Sequence, residues 1–193
     1  MSRTKSLFSK KTSPYVTLVV VILVILGNHF GWFTQAQEAA TQSDPGSYTV
    51  SRFVDGDTIV VDMNGKNETV RMIGVDTPET HKPNTPVQCY GPAASAYTKN
   101  LIGEQKVRLE ADSTNQNRDR YGRLLRYVYL PDGRLVEQEI IANGYGFAYT
   151  SFPSVKKEQF IQAEAKAEAA KKGLWGNCTV HDDNGRKQTN DAS

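Results

Sequence analysis

Cysteine is scarce: the chain has two in 193 residues and no Cys-x-x-Cys pair, which excludes cysteine-built zinc-ribbon and iron–sulfur architectures. Acidic residues are absent before Glu38, whereas Arg3, Lys5, Lys10 and Lys11 all precede the first apolar run. The formal charge of +2 therefore belongs to the N-terminal segment, because residues 37–193 hold 19 basic against 21 acidic side chains. Bulk charge gives no sign of an anionic partner, and any such partner must be met by local placement. No apolar run reaches the roughly 20 residues of a comfortable membrane span, and no internal repeat is visible. What is present is a globular composition, 38% hydrophobic and 23% charged, sized for one domain with appendages.

Tyr15 to Gly27 is almost unbroken apolar sequence behind a basic, Ser-rich start. This is the pattern of an export signal or an apolar anchor helix rather than of a fold, and Thr34-Gln35-Ala36 offers a small-residue cleavage site. Residues 1–36 are expected to be a signal peptide or membrane anchor, residues 37–47 a linker, and everything beyond to lie outside the cytoplasm. Membrane contact is expected only through the N-terminal segment, if it is retained. A buried core helix is the competing reading. In an oxidising compartment Cys89 and Cys178 are expected to form a disulfide that ties the C-terminal end to the loop before the first helix. Closing a loop of that size contributes on the order of 4 kcal/mol in the chain-entropy account.

Short β-rich runs follow the linker at Tyr48–Val54, Thr58–Met63 and Glu68–Val75, joined by the hairpin signals Asp55-Gly56 and Asn64-Gly65. A Pro-rich loop from Thr77 to about Gly91 leads into a helix over Ala93–Ile102, with Pro92 in its first turn and Gly103 as its stop. Val107–Ala111 and Leu124–Leu130 read as two more strands. Leu135, Val136, Ile140 and Ile141 recur at helical spacing up to Gly144. A last helix opens at Pro153-Ser154 and ends at Lys171-Lys172-Gly173, with Phe160, Ala163, Ala167, Ala170 and Leu174 on its apolar face. Five strands with a helix between the third and fourth give a β-barrel with helices, of α+β class, in the strand and helix order of an OB-fold. Residues 178–193 are expected to be a polar, disordered tail.

Unusual charges concentrate in Val54-Asp55-Gly56-Asp57-Thr58, in Arg71 to Glu79 (RMIGVDTPE), and in Arg118 to Arg123 (RDRYGR). Each alone has an ordinary explanation: a hairpin turn, a strand exit with cap chemistry, a solvated charge run. Arg71 is the exception: on an extended strand Arg71, Ile73 and Val75 share one face and Val70, Met72 and Gly74 the other, and both are apolar except for Arg71. A buried guanidinium needs an anionic partner, either a structural carboxylate or a functional one. Asp76 lies five residues on, so a regular strand would point it away from Arg71; Gly74 permits a bulge or turn that brings both to one mouth.

Together VDGDTIVV, VRMIGVDTPET, QCYGPAASAYTKNLI, RDRYGRLLRYVYLPDG and KKGLWGNC resemble the staphylococcal nuclease (thermonuclease) family over residues 48–177. The resemblance implies a five-stranded OB-fold barrel with three helices, acting as a monomer on DNA and RNA. It implies Ca²⁺ held by Asp57 and Asp76 with the carbonyl of Thr77, and Asp55 as the neighbouring supporting acid. Glu79 matches the residue that positions or deprotonates the attacking water, and Arg71 and Arg123 match the pair that grips the phosphate. Tyr121 and Tyr149 match residues that flank the bound nucleotide. Residues 144–151 run about one residue short of the family pattern, with Ser151 where a second tyrosine is expected. His81 and Lys82, in the loop after Glu79, are read as solvated. The reaction implied is phosphodiester hydrolysis at the 5′-phosphate side, leaving 3′-phosphate ends. A non-catalytic nucleic-acid-binding barrel, or an anchored barrel with a purely structural calcium site, are the alternatives. Retention of all five polar positions favours the enzyme.

Overall fold

The structure, a computed structural model, describes residues 46–80 and 86–192. The apolar segment 1–36, most of the linker, and His81 and Lys82 lie outside the described residues. Among the described residues no helix is long and apolar enough to cross a membrane.

Five strands close a barrel in the order β1-β2-β3-β6-β5: β1 (Ser47–Phe53), β2 (Thr58–Met63), β3 (Lys66–Met72), β5 (Val107–Glu110) and β6 (Leu124–Tyr129). The expected meander is present. Asn64 and Gly65, at φ 58° and 86°, make the tight β2–β3 turn that pairs Met63 with Lys66. Closure comes from a parallel pairing, Val70 with Leu124 and Arg71 with Leu125, and from the antiparallel pairing of Ser47 with Arg108. The inside is filled by Ile59, Val61, Val70, Met72, Tyr127 and Val128.

Three main helices lie against this barrel: α1 (Gly91–Ile102), α2 (Val136–Ala142) and α3 (Lys157–Ala169). Ile102, then Val136, Ile140 and Ile141, then Phe160 and Ala163 complete the core from these helices. A four-residue helix α4 (Leu174–Asn177) follows. The last long helix starts later than Pro153-Ser154 suggests, because the Ser154 hydroxyl accepts the Lys156 N–H in a turn that precedes it. Ala170 is exposed rather than on the buried face, which is Phe160, Ala163, Glu164 and Ala167.

Two features depart from expectation and both bear on the site. The third strand does not run to Val75: it stops at Met72, turns at Gly74, and resumes as a two-residue strand β4 (Val75–Asp76) paired with β7 (Phe147–Ala148). The C-terminal segment is not a disordered tail. It folds into a β-hairpin, β8 (Val180–Asp183) with β9 (Arg186–Thr189), turned at Asn184-Gly185. The expected disulfide Cys89–Cys178 is present, with Cα atoms 5.9 Å apart.

Candidate active site

Arg71 leaves the barrel at the end of β3, where the Gly74 turn (φ 77°) folds Asp76 back toward it. Its Nη2 donates to Asp76 Oδ1 at 3.0 Å, and its Nε lies 3.2 Å from Asp57 Oδ1. Its Nη1 donates to the carbonyls of Met72 (2.9 Å) and Val75 (2.7 Å), so the turn is wrapped around the guanidinium. The side chain is 13% exposed, and its partners are the two carboxylates expected to face a cation. Three of its five N–H donors are hydrogen-bonded inside the protein, and Nε is in ion-pair contact with Asp57.

Asp57 is placed by the turn between β1 and β2. Its Oδ2 accepts the backbone N–H of Thr77 at 2.9 Å and the Thr77 hydroxyl at 3.1 Å; its Oδ1 accepts the Thr58 hydroxyl at 3.0 Å. Helix α1 clamps the same turn, with the Thr98 hydroxyl donating to Gly56 O at 2.6 Å. Gly56 is required by space, since a Cβ there would sit 2.8 Å from the Thr77 side chain. Asp55 Oδ1 accepts the Asp57 N–H at 3.1 Å. Burial and the neighbouring Asp57 carboxylate push Asp55 up to about 7. Burial also raises Asp76, against the opposing pull of Arg71 and of Arg186.

Arg123 approaches from the loop before β6. Asp119 holds it, accepting its Nε at 2.7 Å and its backbone N–H at 2.9 Å, and its Nη1 reaches the Thr58 hydroxyl at 3.5 Å. Thr58 thus links Arg123 to Asp57 through one hydroxyl, a connection that sequence reading missed. Glu79 is positioned by its backbone: its N–H donates to Gln88 Oε1 at 2.8 Å and its carbonyl accepts the Gln88 N–H at 2.9 Å. Gly91 lets that loop approach, because a Cβ would lie 2.8 Å from Glu79 O. Tyr121 is 68% exposed under the guanidinium groups of Arg120 and Arg123, at 4.8 and 5.4 Å from the ring centroid. Tyr149 is joined to the turn before β4, its N–H donating to Gly74 O at 2.9 Å.

Arg186 was not foreseen. From β9 its Nε donates to Asp76 Oδ2 at 2.7 Å and its Nη2 to Asp76 Oδ1 at 3.1 Å, with its guanidinium 5.9 Å from the Tyr149 ring. The signal that could have found it is Asn184-Gly185, the same dipeptide that turns β2 into β3.

Among the described residues no three His, Cys, Asp or Glu side chains form a cluster able to hold a metal ion. Asp57 and Asp76 nevertheless meet on one guanidinium and offer oxygen alone, with Thr77 packed against Asp57. A short, oxygen-only donor set fits a hard cation that keeps part of its water, as calcium does. It does not fit zinc or copper, which prefer imidazole and thiolate.

The family model described as "Staphylococcal nuclease homologue" matches residues 69–177. The chain is 42% identical over 173 residues to the thermonuclease of Staphylococcus hyicus, covering 87% of this chain and 99% of that protein. It is 41% identical to the thermonuclease of Staphylococcus intermedius, covering 86% and 96% respectively. It is 46% identical over 129 residues to endonuclease YncB of Bacillus subtilis (strain 168), 66% of this chain and 60% of that one. A closed barrel of the expected strand order, an Arg71 that joins Asp57 to Asp76, and near end-to-end similarity to two thermonucleases agree: the chain belongs to the staphylococcal nuclease family.

Proposed function

We propose that this chain is an exported, calcium-dependent nuclease that hydrolyses phosphodiester bonds of DNA and RNA as a monomer, leaving 3′-phosphate ends. The observation that carries the reading is the single guanidinium of Arg71 bridging Asp57 and Asp76, with Arg123 linked to Asp57 through the Thr58 hydroxyl. The names of the relatives, thermonuclease and endonuclease, point to the same class of substrate.

Asp57, Asp76 and the carbonyl of Thr77 would hold the calcium ion, which when bound supplies positive charge against the phosphate and loosely held water. Arg123 spends Nε on Asp119, which leaves its terminal nitrogens to fork onto phosphate oxygens. Arg71, with three of its five donors hydrogen-bonded inside the protein, acts mainly by fixing the carboxylates and contributes positive charge toward the phosphate. The Glu79 carboxylate takes the proton of the attacking water. The water oxygen bonds to phosphorus as the bond to the 5′ oxygen breaks, and that oxygen leaves with a proton from solvent. Guanidinium groups stabilise the added charge of the transition state better than ammonium groups would. Tyr121 and Tyr149 flank the nucleotide, and stacking on them is tolerant of sequence.

A non-catalytic nucleic-acid-binding barrel would need none of the Arg71–Asp57–Asp76 arrangement, which is costly to bury. The discriminating experiment is product analysis on a short end-labelled single-stranded DNA. Fragments with 3′-phosphate support the proposal; binding without cleavage, or 5′-phosphate fragments, overturns it.

A further inference from the structure

The C-terminal hairpin is fastened to the segment that also holds Glu79. Besides the Cys89–Cys178 disulfide, the Cys89 N–H donates to Asn190 O at 2.7 Å, the Thr189 hydroxyl donates to Cys89 O at 2.8 Å, and the Ala192 N–H donates to Val87 O at 2.8 Å. Gln88, which braces the backbone of Glu79 from both sides, forms a β-bridge with Asp191. From this anchored base β9 sends two cations to buried carboxylates: Lys187 reaches Glu164 at 2.9 Å and Arg186 reaches both oxygens of Asp76.

With Arg71 on its other side, Asp76 Oδ1 accepts two guanidinium N–H groups and Oδ2 accepts one. A guanidinium fork and a hard cation seek the same carboxylate oxygens. Their occupancy of Asp76 is mutually exclusive wherever both need the same lone pairs. Arg71 is bound to its turn by backbone carbonyls, whereas the Arg186 side chain is 42% exposed and has solvent to retreat to. Arg186 is therefore the partner that yields.

We propose that the C-terminal hairpin is a built-in competitor for the cation, in which Arg186 closes Asp76 and the Cys89–Cys178 disulfide holds it in place. The proposal rests on the calcium reading above. The tether makes closure intramolecular, so a pair that is modest in water acts at high effective concentration. A latch closed nine-tenths of the time lowers the apparent affinity about tenfold. Linkage is reciprocal, so cation binding must in turn loosen the hairpin. Reduction of the disulfide lowers the effective concentration of Arg186 and raises cation affinity, which couples the site to the redox state of its surroundings.

The test is calorimetric titration of calcium chloride into the full-length chain as wild type, Arg186→Gln and Arg186→Lys, each oxidised and reduced. Thermal melting without calcium verifies that each variant is folded. Hydrogen exchange at the β8–β9 amides is followed with and without the ion. The expected result is about tenfold tighter binding by Arg186→Gln, an intermediate value for Arg186→Lys, which keeps charge without the fork, and faster hairpin exchange on calcium addition in the wild type. Reduction should tighten the wild type and leave Arg186→Gln unchanged. Equal or weaker binding by Arg186→Gln, with calcium bound by all three proteins, overturns the latch and leaves the calcium reading standing. Failure of every folded variant to take up calcium overturns both.

Discussion

Arg71 Nη2 lies 3.0 Å from Asp76 Oδ1, although Asp76 is five residues on and a regular strand would point it away. The contact exists because the chain turns at Gly74, with φ at 77°, before resuming as β4. A Cβ at Gly74 would meet the Phe160 ring at 2.5 Å as well as requiring the left-handed conformation. Gly74→Ala is therefore expected to destabilise the protein by about 2 to 4 kcal/mol, measured by urea denaturation. It should also reduce calcium affinity, because the turn carries Asp76. A wild-type urea midpoint for Gly74→Ala would contradict the account of this turn.

Arg71 pairs with both Asp57 and Asp76, so Arg71→Ala leaves buried Asp57 with no ion-pair partner among the described residues and Asp76 with Arg186 alone. Without calcium the variant is expected to lose roughly 3 kcal/mol of stability, and saturating calcium should restore a larger share of stability than it adds to the wild type. Parallel melts in chelator and in excess calcium check this. Equal calcium-induced stabilisation of both proteins would show that Arg71 and the ion do not share these carboxylates.

Glu79→Ala and Arg123→Ala should each lower turnover by about 10² to 10⁴ while leaving the melting temperature close to wild type. Thr58→Val isolates the hydroxyl that donates to Asp57 at 3.0 Å and receives Arg123 at 3.5 Å. Its loss is expected to cost roughly 1 to 2 kcal/mol of transition-state stabilisation, about tenfold in kcat. An unchanged kcat for Thr58→Val would mean that Arg123 is positioned by Asp119 alone.

Asp112 is a structural carboxylate away from the site. It accepts the N–H and hydroxyl of Thr114 at 2.7 and 2.6 Å, the Val155 N–H at 2.9 Å and the Tyr127 hydroxyl. Burial would raise it, but these bonds outweigh burial and bring it down to about 2 from an ordinary 3.8. The folded protein therefore binds fewer protons than the unfolded chain between these values. Its contribution is present above pH 3.8 and is lost as pH falls through about 2. Asp112→Asn should cost roughly 2 kcal/mol at pH 7 and lose less stability than wild type on acidification, as read from denaturant melts across that range.

Much of the barrel was legible because its signals are local. The β-branched run of β2 and the Asn64-Gly65 turn specify the β2–β3 hairpin locally, and an arginine between Val70 and the apolar residues Met72 and Ile73 marks Arg71 as needing an anion. Gly74 next to a displaced Asp76 made the turn legible as well. The pairing of β4 with β7 was not, since two-residue strands have no period and are held by partners about 70 residues away. The Thr58 bridge depends on a loop 65 residues downstream. The hairpin that carries Arg186 was hidden by its polarity: its contacts are charge pairs and main-chain bonds, with Asp76 lying 110 residues earlier. Polar composition alone reads as disorder; the disulfide and the Asn184-Gly185 turn give this segment its order.

The proposed role of the Asp57–Arg71–Asp76 arrangement is calcium-dependent cleavage of nucleic acid. The most direct measurement follows release of fragments from single-stranded DNA by the purified chain, in calcium and in excess chelator, with Glu79→Ala alongside. Cleavage by the wild type in calcium, none in chelator, and roughly a hundredfold less or lower by Glu79→Ala are expected. Cleavage that persists in chelator, or no cleavage in calcium by a folded wild type, would contradict the proposed role.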